Sequence, residues 1–460
     1  AIARQLSSYK LDIVLLEKET DACFGVSKAN SGIIHGGFHH GPGTLKARLE
    51  ILGNMMFDRL QKDLGFPFRR CGILVAALNV EEMKAVEKLY ENGVRNKVIG
   101  IELAGRERML ALEPRLNPDV VGGLYAPTGG VIEPYRFVFA LIENAQDNGV
   151  ELLTGFEVAG VERAKGTFHL SSGDGRRVRA RYAVNAAGLY ADRVSALFGA
   201  EQFVIVPRKG EEFLLDRNAR GLPGKVIYPV PTRVSKGILV IPTVEGTCMV
   251  GPTAVEIEDK EDLATSQANL DTVFAAARRL VPALSERDII TAFAGLRPTL
   301  AGGDFRIECS GKVPALVQVA GIQSPGLTSA PAVGEYVKDL LKKAGLTLEE
   351  KPDWDPCLPE VPRIRELTPF QVDELTRRDS AYGEVVCRCD GVSEAEIVAA
   401  VRRGHRTLDG IKFYTRAQMG RCQGGFCTYR ILRILARETG LPPESITKRG
   451  PGSELLGGEL

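Results

Sequence analysis

The stretch Val26–Lys46, VSKANSGIIHGGFHHGPGTLK, holds five glycines and three of the chain's five histidines between small polar residues. Glycine tolerates unusual dihedrals and close backbone approach, so such a run suits a flat ligand lying against the main chain. A plain surface loop is the simpler reading, but it fits the apolar content poorly. Just upstream, Asp12–Glu19, DIVLLEKE, reads as a buried strand ending on the acidic Glu17, and residues 1–8, AIARQLSS, as a short helix. A helix, a parallel strand and a carboxylate make the second half of a dinucleotide-binding βαβ unit, in which the carboxylate accepts from a ribose hydroxyl. The stretch is therefore expected to form a cofactor wall. A strand and a G-x-G-x-x-G turn should precede it, and no such turn occurs elsewhere. The pattern predicts about 10–20 further residues, one strand and its turn, ahead of Ala1.

At 460 residues there is room for two to four domains. A formal net charge of +1 gives no global reason to expect nucleic acid or an anionic membrane as partner. No apolar run approaches the ~20 residues of a membrane-spanning helix, which leaves peripheral membrane contact as the one compatible kind. Nine cysteines are unevenly spread. Five are isolated and read as buried free thiols, a usage that suits a reducing, cytoplasmic compartment.

Along the chain, Leu45–Gly65 reads as a helix with Leu49, Leu52, Met56 and Leu60 on one face. Cys71–Leu78 reads as a strand, Val80–Asn92 and Pro134–Asn148 as helices, and Val150–Gly155 and Arg181–Gly188 as strands. Between 201 and 311 the segments EEFLLD, KVIYPVP, GILVIPT and CMVGPT predict a largely antiparallel sheet. Ala315–Gly321 reads as a parallel strand leading into a helix whose first turn can face a cofactor. Lys351–Phe370 contains five prolines and reads as a flexible linker. Ser393 and Glu396 form a capping box for a helix ending at Gly404, Thr428–Thr439 is a second helix, and the tail from Leu441 reads as loosely ordered.

Cys387-x-Cys389 and, 32 residues later, Cys422-x4-Cys427 are the sharpest chemical signal. Four thiolates can hold an iron–sulfur cluster or a structural zinc, and the single-residue first gap matches zinc poorly. Disulfides and unliganded thiols are the remaining readings. Gly420, Gly424 and Gly425 allow backbone N–H groups to turn toward sulfur, and six nearby arginines suit an anionic cluster or an acidic electron partner.

Residues 384–427, EVVCRCDGVSEAEI…TLDGIKFYTRAQMGRCQGGFC, resemble the bacterioferritin-associated-ferredoxin-like 2Fe–2S domain. That resemblance implies ligation by Cys387, Cys389, Cys422 and Cys427, although the last pair is spaced more widely than is common there. LLEKE, KANSGIIHGGFHHGPGTLKARL, GGVIEPYRF, VNAAGLYAD, AGLRPT and GIQSPGLTSAPA are similar to D-amino-acid-oxidase-like FAD oxidoreductases. The order of the two parts resembles the anaerobic-type glycerol-3-phosphate dehydrogenases, and SGIIHGG and PGTLKA are also close to L-2-hydroxyglutarate oxidases.

This resemblance implies FAD as cofactor. Glu17 would meet its ribose, and Asn30, Ser31 and Gly32 its ring. Val158 would lie at the adenine side, Ala187 and Gly188 at the pyrophosphate, and Gly321, Gly326, Leu327 and Thr328 at the flavin's pyrimidine edge. It also implies a fold class: an α/β FAD-binding Rossmann-type domain lacking its first strand and glycine-rich turn, an inserted mainly antiparallel α+β substrate domain, and a small mostly helical iron–sulfur domain. The expected boundaries are 1–66, 133–200 and 312–345 for FAD binding and 67–132 and 201–311 for substrate. A linker follows at 346–383, then the 2Fe–2S domain at 384–440 and a tail at 441–460.

The implied activity is oxidation of a small anionic secondary alcohol, glycerol 3-phosphate first. Alternatives are a 2-hydroxyacid, an amine or imino acid, or a non-catalytic electron-transfer or redox-sensing subunit. Flavin oxidation of an alcohol needs a base, for which His35, His39 and His40 are candidates. It also needs a charge clamp, for which Arg297 is the first candidate and Lys46 and Arg208 weaker ones. A fused one-electron centre favours a dehydrogenase over an oxidase, feeding an electron-acceptor protein, a partner subunit or a quinone-linked acceptor at the inner face of the membrane.

Overall fold

The computed structural model describes residues 1–231 and 236–457. Ile13–Leu16 pairs in parallel with Val150–Leu153, and Ala183–Asn185 pairs in parallel with Leu316–Ala320, which Arg306–Cys309 extends in the antiparallel sense. Neither Ile13–Leu16 nor Ala183–Asn185 has a second strand partner among the described residues. Every residue of Ile13–Leu16 is only half-buried, and Ala186 and Ala187 beyond the other strand are exposed. Helices Ile2–Ser7, Leu45–Leu64 and Gly326–Lys343 contribute to a core with these strands, through Leu6, Leu49, Val317, Val319 and Val337.

The helix Leu45–Leu64 begins where the Thr44 hydroxyl accepts from the amide of Ala47 at 3.1 Å, and ends at Gly65 with φ 66°. It buries Leu49, Gly53, Phe57, Leu60 and Leu64 but leaves Leu52 exposed, so its inward face is turned from the expected one. Gly53 is the reason. A Cβ there would collide with the carbonyl of Thr328, so the face around Gly53 is the one that lets this helix lie against Gly326–Lys343.

Among the described residues the largest sheet has nine strands, mainly antiparallel, with Val206–Leu215 and Ile289–Thr299 as a long pair at one end. Strand Ile73–Ala77 is buried throughout, because Leu74 and Ala76 face one core and Ile73, Val75 and Ala77 the opposite one. Helix Gln267–Leu280, which begins with a side-chain cap from Ser266, covers the first face with Val273, Phe274 and Ala277. That helix falls in a region read from sequence as strand-rich. Strands Val158–Ala164, Thr167–Ser172 and Arg177–Ala180 form a separate antiparallel meander.

The cysteine-bearing region is mostly helical. Glu394–Arg402 starts at the Ser393/Glu396 capping box, Leu408–Thr415 follows, and Thr428–Thr439 buries Ile431, Leu432, Ile434 and Leu435. Its core is continuous with Ala22, Cys23, Tyr135 and Phe139 of the preceding region.

Two expectations of looseness are overturned. The proline-rich segment is pinned: Asn144 donates to the carbonyls of Asp355 and Cys357, both at 3.0 Å, the Trp354 indole donates to Ser7, and Arg363 and Arg365 bind Glu245. It also contains the helix Pro369–Arg378. Proline limits helix and strand but leaves carbonyls free to accept, and side chains from two neighbouring elements use them. The tail folds back as well. Thr447 accepts from the amide of Leu408, Lys448 pairs with Asp409, Arg449 reaches Glu19, and Ile446 is buried. Residues 458–460 of the expected tail lie outside the described residues.

Candidate active site and cysteine centre

The glycine- and histidine-rich stretch is built into the molecule on two sides. Gly32, at φ 61°, sits where a Cβ would meet the carbonyl of Ile132 at 2.5 Å, and Ile33–Ile34 pairs with Gly130 and Val131. On the other side Ala29 lies against Gly295, where any side chain would strike its carbonyl. Asn30 accepts from the amide of Gly32 at 3.0 Å, and Ser31 donates to Glu212 at 2.9 Å. The Thr328 hydroxyl accepts from the amide of His35 at 2.9 Å and donates to the carbonyl of Ile33 at 3.3 Å. The stretch and the turn 321–328, with Gly321 at φ 70°, are thus stitched into one wall.

Behind this wall stands a chain of polar side chains. The buried His35 ring meets the Tyr228 hydroxyl at 3.2 Å through Nδ1 and the Ser324 hydroxyl at 3.0 Å through Nε2. Lys236 donates to the same Ser324 hydroxyl at 3.4 Å. Desolvation, then the Lys236 charge, holds the imidazoles of His35 and His39 well below the usual range, and His40 at about 2. These rings are neutral bases at ordinary pH. Desolvation also lowers the half-buried Lys236 to about 8, with Glu50 opposing the shift. No carboxylate lies within ion-pair distance of Lys236 among the described residues. Burial raises Glu50 to about 7 despite its bond from the Gly37 amide, and Glu212 to about 7 despite the bond from Ser31. Nε2 of His39 and of His40, and Oε2 of Glu50 and of Glu212, are buried without a partner. Such atoms are costly unless a bound group or water meets them.

The expected residues fall as follows. His35 lies within this polar chain. His39 is packed between Phe38 and Tyr228, with ring centroids 4.3 and 5.0 Å away. Lys46 is buried and bonds to the carbonyl of Gly303, and desolvation brings it to about 8. Arg297 donates to the carbonyls of Thr253 at 2.5 Å, Arg208 at 3.3 Å and Lys209 at 3.4 Å, so its guanidinium is already engaged by backbone. Arg208 forms a partly exposed pair with Glu256. Glu17 ends its strand and accepts from the amide of Glu19 at 3.0 Å. Val158 begins the antiparallel meander and packs half-buried in a cluster with Leu16 and Ala183, Ala187 and Gly188 follow the strand Ala183–Asn185 at exposed and half-buried positions, and Leu327 packs half-buried against the cluster of Phe57 and Phe137. Lys236, Ser324, Tyr228, Glu50 and Glu212 were not singled out from sequence. Only Ser324, inside the quoted GIQSPG, carried a local signal.

The four late cysteines come together as two pairs, Cys387 with Cys427 and Cys389 with Cys422. The hydrogen bond from Cys427 pulls Cys387 down to about 6, and burial with that same bond raises Cys427. Amides of Gln418, Asp390, Gly424 and Phe426 point at these sulfurs. Arg416, Gln418 and Gln423 adopt positive φ to aim that loop, and a Cβ on Gly420 would collide with the Cβ of Cys389. Among the described residues no three His, Cys, Asp or Glu side chains converge as a mononuclear metal requires. Two adjacent thiol pairs match the donor number of a binuclear iron–sulfur cluster.

A buried charge node joins the parts. Arg416 binds Glu133 at 2.9 Å and lies 3.9 Å from Glu245 and 3.6 Å from Asp390, while Arg365 and Arg217 also reach Asp390. A second buried link runs from His405 Nδ1, which donates to Asp21 at 2.7 Å.

Comparison with known proteins places these sites in context. The family model "FAD dependent oxidoreductase" matches residues 1–340, and the "BFD-like [2Fe-2S] binding domain" model matches residues 385–437. The chain is 42% identical over 460 residues to a glycerol 3-phosphate dehydrogenase of Caloramator mitchellensis, covering 100% of this chain and 96% of that one. A solved L-alpha-glycerophosphate oxidase from Mycoplasma pneumoniae, with FAD bound, superposes with a TM-score of 0.74 at 32% identity, covering 78% of this chain and 96% of that one. The L-2-hydroxyglutarate dehydrogenase of Mus musculus is 33% identical over 262 residues, 53% of this chain and 55% of that one. No helix among the described residues is long and apolar enough to cross a membrane.

Proposed function

The chain belongs to the FAD dependent oxidoreductase family, and from that premise we propose that it oxidises sn-glycerol 3-phosphate to dihydroxyacetone phosphate. Electrons then pass through the 2Fe–2S cluster to an acceptor protein or a quinone-linked acceptor. The full-length similarity to a glycerol 3-phosphate dehydrogenase supports this reading. The observation that carries it is the line Lys236–Ser324–His35, an ammonium and an imidazole meeting at one hydroxyl.

The residues fit the cofactor. Glycines at positive φ keep the wall at 32 and 321 free of side chains, the Glu17 carboxylate directly follows the strand Ile13–Leu16, and buried polar atoms of His39, His40, Glu50 and Glu212 lack hydrogen-bond partners. Asn30, Ser31, Gly32, Gly321, Gly326, Leu327 and Thr328 would line the ring, with Glu17, Val158, Ala187 and Gly188 along the nucleotide. Bound FAD supplies the hydride acceptor for the carbinol C–H bond.

The protein's own part is acid–base chemistry and anchoring. His35 is neutral and oriented by Tyr228, Thr328 and the Asn54 amide that binds its carbonyl; with Nδ1–H donated to Tyr228, it takes the hydroxyl proton at Nε2 as the Ser324 hydroxyl turns from that nitrogen to the phosphate. Lys236 and the Ser324 hydroxyl hold the phosphate, a charge-assisted pairing that draws on an ammonium with no salt-bridge partner among the described residues. Arg297 serves as a structural brace, since three carbonyls already occupy it. Cys387, Cys389, Cys422 and Cys427 hold the cluster, and the node around Arg416 keeps that domain seated.

A steady-state panel of glycerol 3-phosphate, L-2-hydroxyglutarate and proline, with an artificial electron acceptor and peroxide recorded in parallel, tests the proposal. It expects turnover of glycerol 3-phosphate with little peroxide. Turnover of L-2-hydroxyglutarate or proline alone would move the chain to the rival substrate class, and stoichiometric peroxide would make it an oxidase.

A further inference from the structure

Away from the histidine-lined wall, a solvent-open cavity of about 610 Å3 lies among the loops of the nine-stranded sheet. Four arginines line it: Arg69, Arg115, Arg217 and Arg220. They come from the short strand Phe68–Arg69, the segment after the helix Arg106–Leu112, and the loop leaving Val206–Leu215. The turn Thr243–Thr247 closes one side, and Leu222, Pro223 and Pro242 provide an apolar wall.

Among the described residues no carboxylate lines this cavity, and the fold withdraws the three that stand nearest in sequence. Asp216, beside Arg217, pairs with Arg421 at 3.1 Å. Glu113 turns inward to accept from the amides of Gly224 at 2.7 Å and Lys225 at 3.1 Å. Glu245, inside the Thr243–Thr247 turn, points away to Arg363 and Arg365. Arg217 alone has an ion pair, with Asp390 at 2.5 Å; Arg69, Arg115 and Arg220 have none among the described residues. The three unpaired charges repel one another, and folding gains nothing from gathering them. Planar guanidinium forks converging on one space are, however, the arrangement that recognises phosphate oxygens two at a time. The volume falls within the range of small-molecule sites, about 300–1,000 Å3.

We propose that this cavity binds a small organic polyphosphate, its phosphates on the arginines and its body against the Leu222–Pro223–Pro242 wall. The site shares no residue with the polar chain around His35, so it is separate from the substrate position and independent of which alcohol is oxidised. Because Arg217 also holds Asp390 beside Cys389, an occupant competes for a contact that seats the cluster domain.

Isothermal titration of the FAD- and cluster-loaded protein at low salt, with ATP, inorganic tripolyphosphate and orthophosphate, tests the inference. Arg115 and Arg220 are exposed, so an Arg115→Ser/Arg220→Ser variant keeps the fold. Saturable binding of ATP and tripolyphosphate, at least about tenfold tighter than orthophosphate and about tenfold weaker in the double variant, is expected. Tighter binding of ATP than of tripolyphosphate is expected if the apolar wall holds the organic body, and equal or weaker binding of ATP would overturn the assignment of that wall. Glycerol 3-phosphate should leave both isotherms unchanged. Absence of saturable binding, affinity unaltered in the variant, or displacement by glycerol 3-phosphate would overturn the proposal.

Discussion

Among the described residues His35 has two hydroxyl neighbours and no charged partner in contact, and burial keeps it neutral; Lys236 there has one hydroxyl neighbour and no carboxylate in contact. The two side chains therefore carry different burdens. His35→Gln should lower the rate of flavin reduction by about 100-fold or more while FAD content stays unchanged, as stopped-flow absorbance would record. Lys236→Met should act mainly on KM, raising it about 10–100-fold, the loss of one charge-assisted contact. The pH dependence has a sign. Lys236 keeps its proton below about 8, so kcat/KM should fall as pH rises through that value in the free enzyme, and Lys236→Arg should remove this alkaline limb. The imidazole is depressed below its ordinary range, so the acid limb should lie under the usual histidine pKa. A limb near 6.5 would point to a different base. His35 was legible in sequence because it sits in a dense run of glycine and histidine. Lys236 was not, since a lysine between strands looks solvated until the fold encloses its ammonium, and it lies 201 positions from His35. Arg297, the clamp expected from sequence, bonds through Nε and Nη2 to three backbone carbonyls, contacts that no local sequence signal reports.

At the scale of elements, strands and helices with a regular period were readable. Thr428–Thr439 and Leu45–Leu64 carry caps and one-sided apolar spacing, and the inward strands of the large sheet run as short apolar blocks. Irregular segments were misread as loose because their order comes from distant side chains. The tail from Ile446 is held by Asp409 and Glu19, and the proline-rich segment by Asn144 and Glu245. Composition cannot report partners that are hundreds of residues away. The loop carrying the cysteines allows a sharp test at this scale. Gly420→Ala places a methyl on Cys389, and iron and sulfide per chain should drop while FAD stays bound. Retention of both at wild-type levels would mean the loop can relax around the added carbon.

At the scale of the molecule, two buried polar links and a shared apolar core fix the cluster domain against the flavin-binding part. His405→Ala strands the Asp21 carboxylate and should cost about 3 kcal/mol in denaturant unfolding of the loaded protein. Glu245→Gln leaves Arg363, Arg365 and Arg416 facing one another with less counter-charge; flavin reduction by substrate should survive, while reduction of the cluster slows. Fixed seating replaces the flexible linker expected from the prolines. The most direct test of the whole account is anaerobic mixing of the loaded protein with sn-glycerol 3-phosphate, following flavin absorbance and the electron paramagnetic resonance of the reduced cluster together. Flavin bleaching followed by a reduced-cluster signal in the same molecules is the predicted result. Bleaching with a cluster that stays oxidised, or no bleaching with this substrate, would contradict it.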